Sequence, residues 1–556
     1  MFVTRVAQWS LDVARAVPLS AVTLMAQLRV APDVRELTAA GVIVLAVVAS
    51  GACSTKTSSP LDPKQSVLSR MAAADALVRA GCFDCLLNAY EEYGSLRSFQ
   101  SVSTAATVGA IRTGALLAIR QREMGALDEG YLRRVRETEV ADPAVRRELG
   151  LILEIADTLP VRREGLAGLA QTEDLRRMQT AARNRDAWVA HLRARANDDA
   201  FSAYLWLAFN CAYVPTGEHA IERWLSAVSA WQHTPLIAFK ASTCGVYPDA
   251  PTLHRLLEAD ARFVEIHYFL SFADAFAGRI DEAISHRLKA YAWQPQWPAL
   301  THALGIDFMS IEDFDTAIEF FQRTLDLYPG DQNVSLDMAK ALTYGRRFVE
   351  ALETLEGLLP LNDVFTGEAH YWRAVNQWHL GRDEEAWVNV ELAEAMLRNA
   401  AVPKLAGLIA YRRNQLKVAR ERFELAWERD PDDCEAGFNL GAVAAELTWW
   451  TRTTNVLSQA ILCFEKRDEV LKREIAAIRS STQPKARQER QIGRREDEMK
   501  ANGRRVVVAR YNTAVGLFNL ARGDEALPFA ERILDDDEFG ERAGALVTRI
   551  RATEMR

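Results

Sequence analysis

The chain has 556 residues and a formal net charge of −8, a mild acidity that excludes a general nucleic-acid binder, which needs a basic excess to displace counterions from phosphates. One hydrophobic core does not serve a chain of this length, so it is either several domains or one repeat array. Its composition, 49% hydrophobic and 26% charged, is that of a folded protein, and the scarcity of alternating Val, Ile and Thr leaves little material for sheets.

The first element in chain order is the apolar run 39–52, AAGVIVLAVVASGA. It falls short of the roughly 20 residues that span a bilayer and reads as the apolar core of a secretory signal. Arg29 and Arg35 precede it, with Asp33 and Glu36 among them. The run ends in Ser50-Gly51-Ala52-Cys53, followed by the polar stretch Ser54 to Pro60. Small residues before a cysteine and a polar tether after it resemble a bacterial lipoprotein signal, with Ser50 departing from the Leu usual there. The resemblance implies a signal segment over residues 1–53, lipid on Cys53, a tether over 54–65, and a site at the outer membrane facing the periplasm. Several acyl chains, at about 0.8 kcal/mol per buried CH₂, would hold such a protein firmly. Counted from Met1 the signal is longer than fifty residues, and counted from Met25 it has an ordinary length, so Met25 is the expected start. Plain secretion, or a buried helix of a cytosolic protein, are the competing readings of the run.

Residues 66–263 read as degenerate helical repeats. Amphipathic hairpins over 66–160 are expected to turn at Gly81 and Gly125, and the stretch 234–262 reads as a shortened unit. Cys82 and Cys85 form a CxxC at such a turn. A helix N-terminus lowers a thiol pKa, yet no βαβ pattern surrounds the motif, which sets thioredoxin-type chemistry aside. A structural disulfide, reduced packing cysteines, and a redox or metal pair remain open. Further on, Ala208, Ala220, Trp224 and Ala227 fall at the offsets of the clearer repeats that follow.

Periodicity is strongest over residues 264–465. Ser271, Gly305, Ala339, Ala374, Gly407 and Gly441 form one column with gaps of 34, 34, 35, 33 and 34. Ala283, Ala317, Ala351, Ala386 and Ala419 form a second in step with it, and Ala290, Thr324, Leu358, Ala393, Ala426 and Ala460 a third. Phe321, Leu355, Val390, Phe423 and Leu457 recur between the second and third. Two antiparallel helices approach closely only where one side chain is small, and bulky residues then fill the wedge against the next hairpin. Gly278 and Gly381 supply permissive turns, and Pro295, Pro329 and Pro431 end second helices.

Segments such as AGRIDEAISHRLKAYAWQP and FDTAIEFFQRTLDLYPGD resemble the tetratricopeptide repeat (TPR) family. The resemblance implies an all-α, right-handed superhelical solenoid of antiparallel helix hairpins, extending from about residue 66 to the end. It further implies a concave groove lined by first helices. Tyr268, Phe272, His302, Met309, Lys340, Tyr371, Trp378, Lys404, Tyr411, Phe438 and Tyr511 project there by column, an aromatic surface with a few cations suited to an extended or helical peptide. The same aromatics serve equally as inter-repeat core. Leu408 stands after Lys404 where a carboxylate clamp wants Asn, so a chaperone-type clamp is not expected.

The charged stretch 466–505 interrupts the array, broken by Ser480-Ser481-Thr482-Gln483-Pro484 into two helices. It reads as a solvated hairpin extension with i,i+4 ion pairs or as a basic contact surface for a membrane or an acidic partner. Ala514, Ala526 and Ala530 mark a C-terminal repeat or cap over 506–556, with Gly523 closer to Ala526 than the pattern expects. Of the seven cysteines, Cys434 and Cys463 fall where the ends of antiparallel helices meet, and Cys211 and Cys244 are the remainder once the CxxC is set aside.

No Gly-rich phosphate loop, GxSxG, HExxH or EF-hand spacing is present. The nine histidines are scattered, and His267, His302 and His370 on first helices read as packing or groove residues. No catalytic residue, cofactor or metal is expected, and neither is a nucleic-acid partner. The expectation is a non-enzymatic scaffold that binds protein partners in the bacterial cell envelope. A cytosolic or inner-membrane regulatory module and a helical carbohydrate-associated envelope protein are the alternatives.

Overall fold

A computed structural model describes residues 63–124, 130–160, 171–214, 219–244, 248–358 and 363–554. Cys53, Met25, the signal and Gly125 lie outside them, as does all but the last part of the tether. Among the described residues there are 25 helices and no strand, as expected of an all-α solenoid. None of these helices is long and apolar enough to cross a membrane. In chain order they are α1 Pro63–Ala80, α2 Phe83–Leu96, α3 Ser103–Glu123, α4 Gly130–Arg136, α5 Pro143–Thr158, α6 Gln171–Arg195, α7 Ala200–Tyr213, α8 Ala220–Ser226, α9 Pro235–Ser242 and α10 Ala250–Ala259. The regular hairpins follow as α11 Ile266–Phe276 with α12 Ile280–Trp293, α13 Pro298–Ser310 with α14 Phe314–Leu327, α15 Gln332–Tyr344 with α16 Phe348–Glu356, and α17 Asp363–His379 with α18 Asp383–Met396. Then come α19 Ala401–Arg412 with α20 Leu416–Arg429, α21 Cys434–Glu446 with α22 Trp450–Ser480, α23 Lys485–Asn519 with α24 Gly523–Glu531, and the closing α25 Gly540–Glu554. The chain divides into two compact units, Met1–Arg70 and Met71–Arg556. What is described of the first is the beginning of α1, and everything below concerns the second.

The columns do what close approach requires. A Cβ on Gly305 would lie 2.5 Å from the Phe321 ring, and one on Gly407 would lie 2.6 Å from Phe423. Gly441 meets Leu457 in the same way. Ala283, Ala317, Ala351, Ala386 and Ala419 are all fully buried. Each hairpin therefore nests a small residue of its first helix under a bulky one of its second. First helices touch from α13 through α15 and α17 to α19, and again between α21 and α23, while second helices do not approach their counterparts as closely, which puts the first helices on the inside of the curve there.

The turns share one conformation. Gly278, Glu312, Arg346, Gly381, Asn414, Thr448 and Ala521 all have φ between 58° and 75°. The next residue's N–H then reaches back five positions, from Arg279 to Asp274 at 2.9 Å, Arg347 to Leu342 at 2.8 Å and Arg522 to Leu517 at 2.9 Å, closing the helix end. Ala521 resolves the expected mismatch at Gly523: the left-handed residue is Ala521, five before Ala526, and Gly523 merely opens α24. Asp313, Asp331 and Asp433 cap the following helices by accepting backbone N–H groups.

Two regions depart from a simple stack. Residues from Cys82 to Leu300 share one continuous core, so this part is not a run of hairpins that touch only their neighbours. Gly81 is a left-handed turn, as expected, but a Cβ there would collide with Leu236 of α9. The second departure is the charged stretch. It lengthens α22 and α23 into a hairpin whose arginines bind earlier turns of the array. Arg487 pairs with Asp281, Arg490 with Asp313, and Arg494 and Arg495 with Glu312. The expectation of a merely solvated extension is corrected: the acidic partner of this basic face is the protein's own repeat edge.

Candidate functional site

The first helices bring together a ladder of charges that links one repeat to the next. His302 Nε2 lies 3.0 Å from Asp337 Oδ2, Lys340 Nζ lies 3.3 Å from Asp337 Oδ1, and Lys340 reaches Glu368 at 3.0 Å. In the same rank of helices Asn376 donates to Thr343 Oγ1 at 2.9 Å. Lys404 pairs with Asp433 at 2.7 Å and stands 3.6 Å from Glu435, which Arg505 of α23 engages at 2.7 Å. The ladder thus ends on the long hairpin.

Burial sets its electrostatics. Desolvation works against the charge of Lys340, but Asp337 and Glu368 outweigh it and hold the ammonium's pKa above its ordinary value. Desolvation likewise opposes the Asp337 carboxylate, and Lys340 and His302 overcome it, leaving that pKa lowered. Lys404 follows the same logic with Glu435 and Asp433. Glu435 goes the other way, its pKa raised by burial against the pull of Lys404 and Arg505. Removing one partner of such a pair strands the other in a low-dielectric setting, which costs more than the intact pair contributes.

The predicted groove divides accordingly. Tyr268, Phe272, His302 and Trp378 are buried and belong to the packing between helices, which corrects their assignment to an open surface. Tyr268 meets Phe272 edge-on at 4.9 Å, His302 tilts over Phe321 at 5.6 Å, and the Arg412 guanidinium covers Trp378 at 5.0 Å. Lys340 is buried as well and is consumed by the ladder. Met309, Tyr371, Lys404, Phe438 and Tyr511 are half-buried. Phe438 leans on Phe464 and Tyr511 on Phe539. Tyr411 is the most open, with 39% of its surface exposed, its hydroxyl donating to Glu446. What remains available of the groove is its C-terminal part, around Tyr411 and Phe438, since Lys404, like Lys340, is taken up by the ladder.

Cysteines are paired as Cys82–Cys85, Cys211–Cys244 and Cys434–Cys463. Cys82 and Cys85 are fully buried, at the turn that enters α2, in reach of Asp260. Beside them lies a buried polar knot that the sequence did not reveal. Arg120 reaches Glu265 at 2.6 Å and the Gly81 carbonyl at 3.2 Å, its guanidinium 3.4 Å from the Phe239 ring centroid. Glu265 also accepts the Phe83 N–H at 2.8 Å. Lys240 pairs with Glu123 at 2.6 Å, and Tyr204 donates to the same carboxylate. Nor are the histidines all scattered: His254, His267 and His286 converge from α10, α11 and α12.

A family model described as tetratricopeptide repeat matches residues 310–378. Among solved structures, YrrB, described as "a TPR protein with an unusual peptide-binding site", is 17% identical over 32% of this chain and 91% of its own, with a TM-score of 0.27. Pseudomonas aeruginosa pilF is 14% identical over 35% of this chain and 89% of its own, with a TM-score of 0.32. The APC/C hetero-tetramer Cut9–Hcn1 covers 88% of this chain and 96% of that one at 11% identity, with a TM-score of 0.32. No curated protein matches the sequence.

Proposed function

We propose that this chain, whose residues 310–378 match the tetratricopeptide-repeat model, is a non-catalytic scaffold of the bacterial envelope, lipid-anchored through Cys53, that binds a protein partner along the inner face of its C-terminal repeats. The observation carrying the binding part is the rank of first helices, on which Tyr411 keeps an open face while Lys340 and Lys404 are taken up by the charge ladder. A tyrosine with one open face suits an extended or helical peptide that offers an apolar side chain. Three cysteine pairs support an oxidising compartment, since such bonds do not persist among cytosolic thiol reductants.

Mass spectrometry of the mature N-terminus tests the anchor, with an acylated Cys53 as the expected species. An unmodified Met1 or Met25 would remove it. Crosslinked capture from envelope fractions, repeated with Tyr411→Ala and Phe438→Ala, tests the groove. Capture of one protein that both variants weaken is expected, at about 1–2 kcal/mol for the tyrosine. A captured polysaccharide, or a partner indifferent to both variants, would defeat the peptide groove.

A further inference from the structure

The long hairpin of α22 and α23 is built as a stiff arm. Arg467 pairs with Glu498 at 2.8 Å, Arg495 with Glu474 at 3.3 Å and Arg479 with Glu496 at 3.3 Å, each joining one helix to the other. At its base the arm is fixed by apolar packing, with Leu457, Phe464, Val506 and Ala509 in one buried cluster. Its tip is held differently. Arg487 pairs with Asp281, Arg490 lies 3.3 Å from Asp313, and Glu312 takes Arg494 at 3.1 Å and Arg495 at 2.6 Å. Gln491 Nε2 donates to the Ile311 carbonyl at 3.3 Å, and the Arg494 guanidinium lies 4.5 Å from the Phe314 ring centroid. No broad backbone contact with α12, α13 or α14 accompanies these side chains, and Asp281, Arg490 and Arg494 are exposed. The contacts close a circuit. First helices touch in the order α13, α15, α17 and α19, α20 carries the contact on to α21, and α21 touches α23. The tip of α23 then returns to the turn between α13 and α14, so the inner face with Tyr411 and Phe438 lies within a ring.

We infer that the arm is a latch on this ring, closed by charge pairing at its tip, and that its release opens the ring along one side to admit the partner. The admission of a partner rests on the reading of the inner face as the partner site; the latch itself does not. An apolar base with a polar, hydrated tip is the division a latch requires. The base keeps the arm folded and attached, while exposed ion pairs contribute little individually and weaken in salt. Release needs no unfolding, because each repeat contacts only its neighbours and small rotations shared among the joints between α13 and α21 carry the tip away. A closed ring is passed only by a free chain end. A partner segment with folded structure on both sides of it therefore reaches Tyr411 and Phe438 only through the opened side.

The test uses the full chain with Cys53→Ser, spin-labelled through Ser285→Cys and Glu489→Cys, two exposed positions on either side of the contact. Pulsed electron paramagnetic resonance should give one narrow distance at low salt. Raising the salt to about 1 M, where the screening length falls to about 3 Å, should bring in a second, longer population. Arg487→Glu with Arg494→Glu should do so at low salt, with helical content unchanged by circular dichroism. Adding Asp281→Lys and Glu312→Lys to that variant should restore the single distance. One unchanged distance throughout, or an opening that the exchanged charges fail to reverse, would overturn the latch. Bridging Asp281→Cys to Arg487→Cys with a short bismaleimide fixes the arm shut. Crosslinked capture of the envelope partner should then be lost, while the charge-reversed variant retains it. Undiminished capture by the fixed chain would overturn the gating of the inner face. A native chain that captures nothing defeats the inner face as a partner site, and the gating with it, while the distances still decide the latch.

Discussion

The two halves of the molecule are held together by different rules. From α11 to α22 the contacts recur: a small residue under a bulky one, a left-handed turn residue five positions before a buried alanine, and an ion pair to the next repeat. From α1 to α10 the decisive contacts occur once each, between residues far apart in sequence. Arg120 reaches Glu265 across 145 positions, Phe83 reaches the same carboxylate across 182, and Lys240 reaches Glu123 across 117. A repeat array distributes its stability over many equivalent interfaces. A region closed by single buried charges concentrates it in a few.

The largest expected effect tests that concentration. Arg120→Met keeps most of the side-chain volume but strands Glu265, a residue whose carboxyl pKa burial already raises against the pull of Arg120. The cost should be about 3–5 kcal/mol. Hydrogen exchange should quicken over the shared core between residues 82 and 300 while α15 to α22 keep their protection. Loss of protection across the whole chain would show that the halves are one cooperative body after all.

Gly305→Ala and Gly407→Ala probe the periodic half. Each new methyl presses on a phenylalanine ring that must shift, at about 1–3 kcal/mol. Exchange should rise in the affected hairpin and its two neighbours and fade beyond them. A smaller effect is pH-dependent. Burial, then Arg346 and Arg412, push the His379 pKa down to about 4, so the unfolded chain binds the proton more readily than the folded one. The associated stability is complete above about pH 6.5 and is lost as pH falls from there through 4, on the order of 1 kcal/mol for a partly exposed ring. His379→Gln should flatten that part of an acid-denaturation series, and an unchanged slope would contradict it. The smallest effect is a gain. Ala521 carries φ of 58°, which an L side chain adopts at a cost, so Ala521→Gly should stabilise by about 1 kcal/mol. Denaturant midpoints would register either sign.

Legibility followed the same division. Ala283, Ala317 and Ala351 were readable because one steric requirement is restated every turn of the array, so chance agreement is improbable. The turn conformation was read only at Gly278 and Gly381, since Glu312, Arg346, Asn414, Thr448 and Ala521 adopt it without advertising it in their residue type. Tyr268 and Trp378 look identical in sequence to groove residues, and only the depth of packing separates the two roles. Arg120 and Glu265 carry no periodic or short-range signal at all. The same holds for His254, His267 and His286, which three separate helices deliver to one place.

The hairpin of α22 and α23 has a mechanical consequence. Stacked repeats ordinarily behave as a spring, lengthening by small rotations at every joint. Here arginines from one end grip Asp281, Glu312 and Asp313 near the other, so those joints are bridged in parallel. Under tension the array should resist until the clasp lets go and only then begin to stretch, giving it a threshold force where an unclasped array would yield from the first pull.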